Sequence, residues 1–229
     1  MKKFYYILIF LFLPGWVYSL PPQPPPSLGI VAYKDQKKHI EQIQIPEHGF
    51  TVYSSPKEDN KSGIIFSQDF VIFFKRSDLK KSLTDKWMIG YDSFALLVFE
   101  SKAGFLRVTP KNSKLSLWIK NSEVENNGFV FFTWLNFLKT KKCCFFVTNP
   151  LNLREKPFRQ SKQIYLMNST NYDIAVTGNS NGNWLEVQVR KRKFPYCEGD
   201  ESINEVKKGW IKAIDNSGFP NIYFYPKGC

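Results

Sequence analysis

Beyond its N-terminal region the chain is a series of short runs rich in Val, Ile, Phe, Tyr and Trp, interrupted by clusters of Asn, Gly, Ser, Asp and Lys. That alternation predicts an all-β protein with tight turns. Ile64 to Phe66, Phe70 to Phe74, Phe94 to Phe99, Phe105 to Val108, Ile174 to Thr177 and Trp184 to Val189 are the clearest strands. Asn179-Ser180-Asn181-Gly182-Asn183 has the composition of a hairpin loop. One segment reads differently. Phe131 to Lys141 places Phe131, Trp134, Leu135 and Leu138 at helical spacing and ends in Lys139-Thr140-Lys141-Lys142, so it predicts a short amphipathic helix connecting two halves.

Four blocks recur in one order along the chain. Phe50-Thr51-Val52-Tyr53 followed by Pro56 matches Leu151-Asn152-Leu153-Arg154 followed by Pro157. Tyr91-Asp92 matches Tyr172-Asp173, and Phe105-Leu106-Arg107-Val108 matches Trp184-Leu185-Glu186-Val187. Each half then closes on Trp-Ile-Lys, at Trp118-Ile119-Lys120 and Trp210-Ile211-Lys212. Ordered agreement of this kind points to two copies of one unit. The first copy is longer before the third block; the second is longer after it, through an insertion that contains Cys197.

The second copy resembles the bacterial SH3 (SH3b) domain, whose first strand typically runs Leu-Asn-Val-Arg and then a small loop with Pro. Here the run is Leu151-Asn152-Leu153-Arg154-Glu155-Lys156-Pro157. Ser161-Lys162-Gln163-Ile164 stands at the family's Ser/Lys turn, Asn181-Gly182-Asn183-Trp184 at its Asn-Gly-Trp strand start, and Gly209-Trp210-Ile211 at its closing Gly-Trp-Val. The first copy departs further: Tyr53 stands where Arg is usual, and Leu117 replaces the glycine before Trp118. The resemblance implies two SH3-like small β-barrels in tandem joined by a short helix. The expected organisation is a signal peptide (1–19), a Pro-rich spacer and N-terminal arm (20–45), a divergent SH3-like barrel (46–126), a helical connector (127–144) and an SH3b barrel with a loop insertion (145–229). It also implies a binding role, since such domains attach proteins to cell-wall peptide or glycan or mediate protein contacts.

The N-terminus supports export. Met1-Lys2-Lys3, an apolar run from Phe4 to Leu13, a break at Pro14-Gly15 and Val17-Tyr18-Ser19 form the three-part pattern of a cleavable leader. The apolar run is about half of the ~20 residues a spanning helix needs, so no stable membrane insertion is expected after cleavage. Pro21-Pro22-Gln23-Pro24-Pro25-Pro26 reads as an extended spacer. The formal charge is +12. Export turns the partner of so basic a chain from nucleic acid to the acidic polymers and wall components of the envelope, or to an envelope protein; the equal alternative is that the charge serves only solubility.

The candidate chemistry is sparse. The cysteines are Cys143, Cys144, Cys197 and Cys229. In an oxidising compartment the first choice is a Cys197–Cys229 disulfide. Cys143 and Cys144 are then buried thiols, a strained vicinal pair or one intermolecular link. His39 and His48 both precede the first repeated block at Phe50, and Cys143 and Cys144 fall on a linker, which is poor context for a cysteine peptidase. Glu198, Asp200 and Glu201 form a polar run that fits a solvated loop better than a glycosidase pair. No phosphate loop, zinc motif or nucleophile elbow is present. The expectation is a non-catalytic envelope binding protein without metal or cofactor. Tyr53, Trp118, Arg154, Trp184 and Trp210 are its candidate ligand residues, although a small barrel also needs tryptophan as core. The alternatives are a structural or protein-interaction subunit of an envelope assembly and an exported hydrolase.

Overall fold

The computed structural model describes residues 25–34, 49–66, 71–74, 80–82, 86–90, 93–141, 145–147, 150–167, 172–192 and 203–224. The leader, the first prolines of the spacer, Phe70, Tyr91-Asp92 and all four cysteines lie outside the described residues. The first half contains β1 (Gly29–Tyr33), β2 (Phe50–Tyr53), β3 (Lys61–Phe66), β4 (Val71–Phe74), β5 (Lys80–Ser82), β6 (Lys86–Gly90), β7 (Ser93–Val98), β8 (Glu100–Lys102), β9 (Phe105–Arg107), β10 (Trp118–Lys120), α1 (Asn121–Asn126) and β11 (Phe129–Thr133). After α2 (Trp134–Thr140) come β12 (Phe145–Val147), β13 (Leu151–Arg154), β14 (Gln163–Met167), β15 (Tyr172–Asn181), β16 (Trp184–Arg192), β17 (Ile203–Lys212) and β18 (Ile222–Phe224). Among the described residues these form four sheets, ordered β11-β1-β7-β6, β5-β4-β3-β2-β10-β9-β8, β12-β18 and β14-β13-β17-β16-β15, and none of them closes into a barrel. The protein is all-β, built from open sheets.

The two halves use the same cross-strand register. Tyr53 faces Trp118 and Arg154 faces Trp210. Arg107, Leu106 and Phe105 face Trp118, Ile119 and Lys120, as Glu186, Leu185 and Trp184 face Trp210, Ile211 and Lys212. A bulge falls at Val52/Tyr53 against β3 and at Leu153/Arg154 against β14. In each half a first strand also returns to pair with the last, β1 with β11 and β12 with β18. Extrapolating from the Phe105–Trp184 equivalence, Tyr172 corresponds to Ser93, two residues from the Tyr91 match expected from the sequence. The insertion in the second half is built by lengthening the β16–β17 hairpin, whose pairing runs on to Arg192 and Ile203.

Packing then joins the halves. The sheet around β1 buries both its faces: Val31, Leu96, Val98 and Phe129 belong to a core confined to the first half. Ile30, Ala32, Ala95 and Leu97 belong to a second core that continues into Leu153, Ile174, Leu185, Val187, Ile211 and Tyr223. Strands buried on two faces read as unbroken apolar runs, which is why Gly29–Tyr33, expected to be part of an arm, is a strand. The helix is shorter than its spacing predicts. Phe131 lies in β11, and the turn begins where Thr133 accepts a bond from the Asn136 amide at 3.4 Å. Trp134, Phe137 and Leu138 are buried, with Phe137 packed edge-on to Trp134 and Phe224 at 6.3 and 6.2 Å. The Trp134 indole donates to the Ser27 carbonyl at 2.8 Å and so anchors the chain emerging from the proline run.

Gly209 marks a close crossing of β17 and β13 in the second half. A Cβ there would lie 2.6 Å from the Arg154 carbonyl oxygen and 3.0 Å from both Ile164 Cδ1 and Leu153 Cγ. Backbone does not yield as a side-chain tip does, so Gly209→Ala is expected to cost about 1–3 kcal/mol. Urea unfolding monitored by tryptophan fluorescence measures this; an unshifted midpoint would mean that β13 and β17 do not cross so closely.

Candidate ligand-binding face

Strand alternation decides which side chains are offered to solvent. In the second half Leu153, Leu185, Val187, Val189 and Ile211 are buried in the core. Their neighbours of opposite parity, Arg154, Trp184, Glu186, Trp210 and Lys212, therefore share the outer face. Two cross-strand rows result: Arg154, Trp210 and Glu186 in one, and Lys212, Trp184 and Asn181 in the other. Trp184 and Trp210 are half-buried there, resting on the sheet and outside the core. Gly182, with a φ of 52°, turns the chain between Asn181 and Trp184.

Bonds fix the polar members of this face. Arg154 Nη1 donates to the Ser161 carbonyl at 2.6 Å, and the buried Ser161 hydroxyl accepts from the Lys156 amide at 2.8 Å, so the loop after β13 holds the guanidinium. Glu186 accepts from Thr177 Oγ1 at 2.7 Å and Asn179 Nδ2 at 2.8 Å, and pairs with Lys208 at 3.1 Å. The bond from Thr177 is the main reason its carboxyl lies below the usual carboxylate range, with Asn179 and Lys208 adding to it. Lys212 Nζ donates to Asn216 Oδ1.

The equivalent face in the first half is shut. Tyr53, Phe105 and Trp118 form a cluster of their own with exposures of only 5%, 5% and 4%. Tyr53 meets Phe105 edge-on at 5.1 Å, and the Trp118 indole donates to Ser116 Oγ at 2.9 Å. Arg107 sits 6.0 Å from the Trp118 ring and donates to the Pro110 carbonyl at 3.0 Å. Burial, assisted by the Glu123 carboxylate, pushes the Tyr53 hydroxyl pKa up. Tyr53 and Trp118, expected as ligand positions, are thus buried together with Phe105 in this cluster. Arg154, Trp184 and Trp210 are the three candidates brought together on an accessible face. Phe105, Glu186, Lys208 and Lys212 belong to these faces but were not singled out from the sequence, although the match of Phe105 with Trp184 and of Lys120 with Lys212 already carried the signal.

Catalytic alternatives gain no geometry. His39, His48, the cysteines and the run Glu198, Asp200, Glu201 lie outside the described residues. Among the described residues no group of His, Cys, Asp and Glu is arranged to hold a metal ion, and no helix is long and apolar enough to cross a membrane. No protein-family model, curated protein or solved structure matches the chain.

The Glu186 network predicts a pH dependence. A carboxyl whose folded pKa is depressed stabilises fully above its unfolded value and loses that contribution as pH falls through the folded one. Glu186→Gln should therefore lower the urea midpoint at pH 7, and the gap from the parent should narrow once the solution is more acidic than the ordinary carboxylate range. A gap that stays constant down to pH 3 would show that the charge on Glu186 contributes nothing to the hairpin.

Proposed function

We propose that the chain is an exported, non-catalytic binding protein of the cell envelope, composed of two SH3-like units of which the second carries the binding face. The observation that carries this reading is the pair of half-exposed tryptophans, Trp184 and Trp210, set among Arg154, Lys208 and Lys212 on a sheet whose other side is core. Large amphipathic rings beside cations are the residue types that supply binding energy at a surface. The leader-like Met1 to Ser19 and the Leu151-Asn152-Leu153-Arg154 strand support export and kinship with bacterial SH3 domains. The proposed ligand is a cell-wall component, peptide or glycan.

A second reading, a protein-interaction subunit of an envelope assembly, draws on exposed apolar side chains in the same unit. Phe158, Leu166 and Val206 are 47%, 41% and 51% exposed, and Leu166 lies opposite Asn152 at the edge of the sheet.

Sedimentation of the purified chain with peptidoglycan tests the first reading. Binding should weaken as salt rises and fall by about tenfold or more, at least ~1.4 kcal/mol, in Trp184→Ala/Trp210→Ala. Failure to sediment, together with a stoichiometric crosslinked protein partner, would replace it by the second.

A further inference from the structure

The charge pattern around Trp210 narrows the ligand class, and this inference rests on the binding reading above. Arg154 lies across one strand boundary from Trp210 and Glu186 across the other. Lys208 and Lys212 stand two residues to either side of Trp210 on β17, and Lys212 is also the cross-strand partner of Trp184. The two indoles are diagonal neighbours, a spacing of about 7–8 Å, with three cations interleaved among them. Glu186, an acid on this face, is engaged by Thr177, Asn179 and Lys208. Lys208 keeps a side chain 61% exposed while making that pair. In the first half, Arg107 occupies the place of Glu186, Phe105 that of Trp184 and Tyr53 that of Arg154, and its rings close on one another.

We infer that the outer face of β13, β17 and β16 takes an anionic glycan. Two sugar rings of one polysaccharide lie against Trp184 and Trp210, and the carboxylate or phosphate groups of the polymer pair with Arg154, Lys208 and Lys212. A guanidinium beside the rings suits a planar carboxylate, since its donors match that geometry. A neutral glycan would bring no charge to these three cations, whose own contacts include a single carboxylate, that of Glu186 against Lys208; a purely electrostatic partner would leave the indoles unused.

Affinity electrophoresis of the full chain through gels containing alginate (a polyuronate), dextran (a neutral glycan) or single-stranded DNA tests this. Alginate should retard the chain at about tenfold lower concentration than dextran. Trp184→Leu/Trp210→Leu, which keeps apolar cover on the sheet, should lose about tenfold in alginate with net charge unchanged. Lys208→Gln/Lys212→Gln should lose about fivefold and flatten the salt dependence. Equal retention in alginate and dextran, unchanged retention of the leucine variant, or stronger retention by DNA would each overturn the inference. If peptidoglycan sedimentation persists while the alginate arm fails, the anionic-glycan assignment falls and the binding reading stands; if both fail, the reading falls as well.

Discussion

Strand parity is the constraint on which the rest of this molecule depends. Leu153, Leu185, Val187 and Ile211 fill the core of the second half, and because side chains alternate along a strand, their burial forces Arg154, Trp184, Glu186 and Trp210 outward together. A slip of one residue in any of the three strands would reverse that assignment and send an indole or a charge inward. Two features hold the register. Gly209 lets β17 approach β13 more closely than any side chain allows, and the bulge at Leu153/Arg154 occupies the same place as the one at Val52/Tyr53.

Duplication of a register need not mean duplication of a surface. Both halves set a tryptophan on the closing strand opposite the end of the first, yet in one the site is filled by Tyr53 and Phe105 and in the other it is left open beside Arg154. The first half gathers Tyr53, Phe105 and Trp118 into a satellite core in which Tyr53 meets Phe105 edge-on. Its remaining apolar surface is used twice over, because the sheet around β1 serves its own core on one side and the shared core on the other. Helix α2 completes that shared core through Trp134, Phe137 and Leu138. The second half is thereby fixed against the rest, and its outer face is presented on a supported sheet.

Much of this was legible in the order of residues. The alternation in Trp184-Leu185-Glu186-Val187 and in Trp210-Ile211-Lys212 places each tryptophan on the same face as a charged residue, but the sequence left open whether the indoles pack in the core or face outward; the burial of Leu185, Val187 and Ile211 decides it. What did not follow is why Trp118, with the same Ile-Lys sequel, is covered: that depends on Phe105 and Tyr53 arriving from two other strands. Strand β1 was missed because its partner β11 lies about a hundred residues away, a separation illustrated by the Ser27–Trp134 bond, |i−j| = 107. Phe131 satisfied a helical spacing by coincidence, since in Phe129-Val130-Phe131-Phe132 both faces of a strand are apolar and period alone cannot choose. Closed barrels were expected from the family resemblance, whereas the strands form open sheets that meet across shared cores.

Hydroxyl-radical footprinting with mass spectrometry tests the central claim most directly, because it reads the accessibility of each indole in one experiment. Trp184 and Trp210 should oxidise readily in the folded chain, while Trp118 and Trp134 stay protected until it unfolds. Protection of Trp184 and Trp210 to the level of Trp134 would contradict the outward face and, with it, the binding function built on it.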